Sequence, residues 1–307
     1  MAALRLQGSL EPTSRIRHSL ESTTSEVMAA ARPRCYAGEM STVDTLLPTT
    51  PLGDLLREFR AAQGVSQLDL ALRCEISPRH LSFVETGKAQ PSRDVIERIG
   101  EELALPLRER NTLYLAAGYA PLYRRTPLEA PELGVVRQAI EATLAQQEPF
   151  PAFVFDRHWT IVMANRGMTA LMEGLRAGGP RHANILHQIF DPEDLRPFIV
   201  NWDEVAGDLL RHLRHEVQRS PFDRDGRDLL DALLAYPDIP QEWHRARFAD
   251  APLPMVRTIF KGPDGPLSFL STMTQFGTAW DLTIEEIRVE AMHPTDEATK
   301  AWCRTRA

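Results

Sequence analysis

The stretch Ser-Gln-Leu-Asp-Leu-Ala-Leu-Arg-Cys-Glu-Ile-Ser-Pro-Arg-His-Leu-Ser-Phe-Val-Glu-Thr-Gly-Lys at residues 66–88 constrains the fold more than any other part of this chain. It reads as two short helices joined by a tight turn. Ser66 is placed to cap a helix over 67–74. Ser77 followed by Pro78 gives a second cap with proline at the first helical position, where its missing N–H costs nothing. Gly87 supplies a left-handed stop after Glu85 and Thr86. A steep crossing of the two helices needs a small residue at their contact, a place taken by Ala71, with Leu68, Ile76, Leu81 and Val84 as the expected apolar anchors. Glu75 stands in the turn where glycine is the usual residue, so a left-handed backbone there carries strain of about 1–2 kcal/mol.

Helical periodicity continues on both sides. Leu52, Leu55, Leu56 and Phe59 recur at helical spacing before Gly64, Ile96, Ile99 and Leu103 follow a cap at Ser92, and Pro106 opens a fifth helix ending near Ala117. A five-helix unit over 51–119 with this pair at its centre resembles the lambda-repressor-like (XRE family) helix-turn-helix domain, most specifically in His80-Leu-Ser-Phe-Val-Glu-Thr-Gly-Lys-Ala-Gln-Pro-Ser. The resemblance implies sequence-specific binding of a double-stranded DNA operator. On a reading helix starting near Pro78, Arg79, His80, Ser82 and Phe83 are in reach of base edges, and the cap residue Ser77 is counted with them as DNA-binding. Arg79 suits guanine through a bidentate guanidinium, and Phe83 suits a thymine methyl. Gln67 resembles the family's phosphate-clamping glutamine, and Lys88 and Arg93 flank the following loop as expected phosphate contacts.

Net charge is −7, which argues against DNA until it is divided along the chain. Basic and acidic residues number 5 and 5 over residues 1–50, 12 and 13 over 51–147, and 18 and 24 over 148–307. The DNA-binding region is therefore near neutral, its nonspecific attraction is modest, and a homodimer is expected to supply affinity. Cys35, Cys74 and Cys303 are odd in number and lack metal spacing, which suits a reducing cytoplasm. No apolar run approaches the length of a membrane span. Residues 1–50, rich in Ser, Thr, Ala and Arg and closed by Pro48-Thr-Thr-Pro51, are expected to be a disordered leader rather than a targeting peptide.

Prolines at 121, 127 and 131 mark a linker over 120–131. Beyond it the pattern changes: a helix to about residue 147, β-rich segments at 152–155 and 159–164, and a helix after Asn165. A capping pair, Asn201 and Glu204, opens a further helix with Trp202, Ala206, Leu209, Leu213 and Val217 on one face. Helices are then expected over 228–236 and 241–248, and strands over 255–260, 267–275 and 287–292. Two strands, a helical middle and a closing set of strands make an α+β domain over 132–300. The fold expected is thus multidomain: an all-α five-helix helix-turn-helix domain followed by an α+β domain.

The order of that second domain resembles a PAS-like fold. Its pairing with the first resembles transcription regulators with an MmyB-like ligand-binding domain, through the run 107–121 (Leu-Arg-Glu-Arg-Asn-Thr-Leu-Tyr-Leu-Ala-Ala-Gly-Tyr-Ala-Pro), the opening at 152–175, Asn201-Trp202 and the closing Pro294-Thr-Asp. The resemblance implies a cavity for a small apolar, fatty-acid-like ligand. Candidate lining residues are Phe153, Phe155, Met163, Leu171, Met172, Phe190, Trp202, Leu209 and Phe269, with Asn165 as a polar anchor.

Catalysis has no identifiable carrier: the sequence holds no Gly-rich phosphate loop, Gly-x-Ser-x-Gly elbow or His-Glu-x-x-His helix. Asp208, His212 and His215 sit near one helical face, but His215 turns toward solvent, so neither metal nor cofactor is expected. Two alternatives are a constitutive DNA-binding dimer with a purely structural second domain, and a haem or metal sensor or enzyme that carries a DNA-binding module.

Overall fold

The computed structural model describes residues 50–245, 255–277 and 279–306. The expected leader falls almost wholly outside them. Five helices build the first domain: α1 (Leu52–Ala62), α2 (Gln67–Arg73), α3 (Pro78–Glu85), α4 (Arg93–Glu102) and α5 (Leu107–Ala116). Three starts are fixed by serine hydroxyls: Ser66 accepts from the Asp69 N–H at 3.1 Å, Ser77 from His80 at 3.1 Å and Ser92 from Val95 at 3.3 Å. Their apolar faces close on Leu55, Leu56, Phe59, Leu70, Leu81, Ile96 and Ile99. Gly53 lets α1 lie against the end of α3, since a Cβ there would stand 2.0 Å from the Glu85 carbonyl oxygen.

One expected anchor is wrong. Leu68 is 56% exposed, while Leu70, Ala71 and Cys74 face the core. The reason is helical phase: steps of one and four residues from Leu70 reach Ala71 and Cys74 and leave Leu68, with Leu72, on the opposite side. The turn itself is as expected, with φ of 53° at Glu75 and 69° at Gly87.

The second domain comprises α6 (Gly134–Gln147), β1 (Ala152–Phe155), β2 (Ile161–Ala164), α7 (Arg166–Leu175), α8 (Ile185–Phe190), α9 (Trp202–Arg219), α10 (Arg224–Leu234), β3 (Arg257–Gly262), β4 (Gly265–Gln275), α11 (Leu282–Glu286), β5 (Arg288–Pro294) and α12 (Glu297–Arg306). The strands form one antiparallel sheet in the order β2-β1-β5-β4-β3. Alternation along β1 divides two cores: Phe153 and Phe155 point inward against α7 to α10 and α12, and Ala152 and Val154 point outward against α6. This is the α+β, PAS-like arrangement expected, with the helical middle packed on the inner face.

Several details depart from the sequence reading. Trp159 takes φ 66°, so β2 begins at Ile161 and the register shifts between Val154 and Phe155. Over 241–245 the expected helix is a single 3-10 turn, Gln241–His244. Asn201 does not cap α9; its Oδ1 accepts the Ile259 N–H at 3.0 Å and its Nδ2 donates to the Arg257 carbonyl, which ties α9 to β3. On α9, Leu210 is fully buried where Leu209 was expected to be central. The proline-rich segment is packed: the Tyr123 hydroxyl hydrogen-bonds Glu97, the Leu282 N–H reaches the Arg124 carbonyl at 2.9 Å, and Leu128 enters the outer core.

Candidate functional site

The exposed face of the helix pair centres on Phe83. The Arg79 guanidinium lies 5.2 Å from its ring centroid and the Lys88 ammonium 6.0 Å. Two cations thus flank one half-exposed aromatic ring on the reading helix. Ser77, Arg79 and Lys88 are exposed, and His80 and Ser82 are half-buried along the same helix. Arg93 stands apart at the start of α4, over the Tyr119 ring at 5.0 Å. Gln67, at the start of α2, donates to the Glu85 carboxylate at 2.8 Å.

Sequence reasoning missed Glu85. It is 4% exposed, and its carboxylate accepts from Arg60 of α1 at 3.1 and 3.3 Å and from Gln67 of α2. Arg57 of α1 donates to its carbonyl at 2.8 Å. One buried acid therefore fixes three helices and holds Gln67 in place. The signal was an ionisable residue next to the apolar anchor Val84, on the inward side of α3.

The nominated ligand residues divide. Phe153, Phe155, Leu171, Met172, Phe190 and Phe269 lie in the inner core, all at most 6% exposed, and Trp202 and Leu209 pack against its edge. Met163 belongs to the outer core, on the opposite face of the sheet. Asn165 has no free polar group to offer: its Oδ1 accepts from Ala152 and Met168 N–H at 2.9 Å, and its Nδ2 donates to the Phe150 and Leu144 carbonyls at 2.9 and 3.2 Å. It is a helix cap and a clamp on the chain entering β1.

The two domains meet through specific contacts. Phe222, between α9 and α10, packs edge-on against Phe59 of α1 at 5.3 Å. The Glu285 carboxylate of α11 accepts the Leu107 N–H at 2.9 and 3.1 Å, closing the start of α5, which has no side-chain cap of its own. Arg108 forks onto Glu286 at 2.7 and 2.9 Å, and Arg157 joins Asp223 to Glu286. Burial opposes the charge on Asp223, yet His158 and Arg157 hold its carboxyl well below the usual range.

A cleft of about 540 Å³ opens at this junction, bounded by Glu109 of α5, Leu213, Glu216 and Val217 of α9, Leu229 of α10, and Met273 and Arg288 of the sheet. It is polar where the nominated lining is apolar. Ligand atoms of His158, Asp223 and Asp225 converge within 4.8 Å nearby, but both Asp223 oxygens are taken, by Arg157 and by the Gly226 N–H. Of the helix trio considered from sequence, Asp208 pairs with Arg211 at 3.3 Å and His212 with Glu216 at 3.4 Å.

A capped reading helix with cations at its exposed face, joined to a PAS-like domain, defines a DNA-binding transcription regulator. The model of the MmyB-like transcription regulator ligand binding domain matches residues 136–305 and a helix-turn-helix domain model matches 51–113, so the chain belongs to the helix-turn-helix regulators with an MmyB-like ligand-binding domain. No curated protein matches it. Among solved structures it is similar to the clp gene regulator ClgR from Corynebacterium glutamicum, at 26% identity over 32% of this chain and 90% of that one, with a TM-score of 0.20. It is also similar to an RNA-binding light-oxygen-voltage receptor, at 13% identity over 96% of this chain and 68% of that one, with a TM-score of 0.23. At these scores the superpositions define no shared arrangement. No helix among the described residues is long and apolar enough to cross a membrane.

Proposed function

We propose that the protein works in the cytoplasm as a homodimer whose two α3 helices read the half-sites of one operator, and that a small molecule held by the second domain tunes this binding. The observation that carries the reading is the array of Arg79, Phe83 and Lys88 on a helix capped by Ser77. Arg79 reads a guanine edge, Phe83 meets a thymine methyl, His80 and Ser82 lie alongside, and Gln67, Lys88 and Arg93 take phosphates. One amide N–H of Gln67 is used by Glu85, which leaves the other for a phosphate oxygen. A near-neutral domain gains little from nonspecific attraction, so two linked half-sites supply the affinity.

Domain limits in this reading are 51–119 for DNA binding and 132–300 for ligand binding, with 120–131 between them. The family resemblance favours an apolar, fatty-acid-like ligand, for which the inner core would have to part. Close packing of Phe153, Phe155, Phe190 and Phe269 instead favours a second reading, a constitutive binder whose second domain only dimerises. Titration with a fatty-acid panel separates the two, because only the first gives a thermal shift and a change in operator affinity.

Selection from random duplexes tests the DNA reading. It is expected to return a near-palindromic site, and Arg79→Ala to lose about 1–3 kcal/mol while relaxing one base position. Equal, sequence-independent binding by both proteins would overturn it.

A further inference from the structure

The junction cleft gathers five carboxylates, Glu109, Glu216, Asp223, Glu285 and Glu286, with the guanidinium groups of Arg157, Arg219 and Arg288, and Nε and Nη1 of Arg288 are buried without a hydrogen-bond partner among the described residues. Glu216 is paired with Arg288, Asp223 with Arg157, and Glu286 with Arg108 and Arg157. Glu109 and Glu285 form no ion pair among the described residues. Glu109 is 4% exposed, and its Oε2 has no hydrogen-bond partner among the described residues although it lines the cleft. An unpartnered buried acceptor is costly, so a group that satisfies it binds with advantage. Burial raises the Glu109 carboxyl above the usual range; burial also raises that of Glu285, with Glu286 and Glu109 adding to the effect. For Glu109 burial outweighs Arg157, Ser220 and Arg108, which all act to lower it.

Part of the remaining wall is aliphatic, Leu213, Val217, Leu229 and Met273, and the rest is polar, with His158, His212, His215, Arg219, Ser220 and Gln275. A space of about 540 Å³ is of the size that takes small organic molecules and far exceeds a bare ion. A metal ion also needs several donors converging on it, and Glu109 is absent from the cluster of that kind among the described residues. An ammonium group carries three N–H donors and a full charge, which suits a buried carboxylate oxygen.

We propose that this cleft binds a small aliphatic primary amine, its ammonium group taken by Glu109 and its chain lying along Leu213, Val217 and Leu229. Bound there, it joins α5 of the DNA-binding domain to α9 and α10 of the second domain. For its effect on DNA, though not for binding itself, the inference rests on the regulator reading above.

The test titrates the full-length protein with n-hexylamine, n-hexanol and n-hexanoate, by calorimetry and by operator affinity. Hexylamine is expected to bind about tenfold or more tighter than either analogue, a difference of about 1.4 kcal/mol. Glu109→Gln, which keeps shape and removes charge, is expected to lose that preference. Met273→Trp, at a site 43% exposed, is expected to fill the cleft and block the amine while leaving the fold intact by circular dichroism. Hexylamine binding no tighter than hexanol, or unchanged binding in both variants, would overturn the proposal. Amine binding with these features in a protein that recognises no operator would keep the site and overturn only the regulator reading.

Discussion

Glu85 shows how much one side chain decides in the DNA-binding domain. Its carboxylate is the shared acceptor of Arg60 and Gln67, so removing it strands a guanidinium that is only 18% exposed. Glu85→Ala is expected to lower stability by about 3 kcal/mol in urea unfolding, the range for breaking a buried pair from one side. A loss below about 1 kcal/mol would mean that water replaces the carboxylate at little cost. Glu75 acts in the other direction: at φ 53° it sits where only glycine is unstrained, and Glu75→Gly is expected to stabilise by about 1 kcal/mol. A lower denaturation midpoint for that variant would refute the strain argument.

At the scale of elements, the helix-turn-helix was legible because its signals are local. Serine caps, Pro78 and Gly87 act within a few residues, and each cap formed as read. Leu68 was misread because α2 is only seven residues long, too short for apolar spacing to fix its phase. In the second domain, strand positions were legible from β-rich runs, but α8, six residues long, and α12 offered no clear apolar stripe. The candidate site was legible in its DNA half alone. The junction was not, since Glu285 and Leu107 lie 178 positions apart and nothing local joins them. Phe222 makes that join testable. Its ring fills the edge of the first domain's core beside Phe59, so Phe222→Ala is expected to cost about 2 kcal/mol. Hydrogen exchange should then rise in α1; protection unchanged there would show that the first domain does not depend on the ring.

For the whole molecule, the charges at the junction predict an acid response. The Asp223 carboxyl is depressed in the folded protein, so its contribution is present above its unfolded value near pH 4 and fades as pH falls toward the folded one. Asp223→Asn is therefore expected to melt below wild type at pH 7, with the gap narrowing as the buffer is taken below about pH 4. A gap that does not change with pH would show that the loss is steric rather than electrostatic. Net acidity concentrated in the second domain also means that added salt should weaken operator binding less steeply than for a strongly basic reader.

The carboxylate that closes the first turn of α5 has a consequence for how the protein is made. Synthesis runs from the N-terminus, and a domain of this size folds as it emerges. The residues of α5 leave the ribosome long before Glu285 exists, so the nascent DNA-binding domain waits with the Leu107 N–H uncapped until the 178 residues that separate the partners have been added. A chain cut short anywhere before α11 retains the residues of the reading helix but never acquires the bond that closes the start of α5.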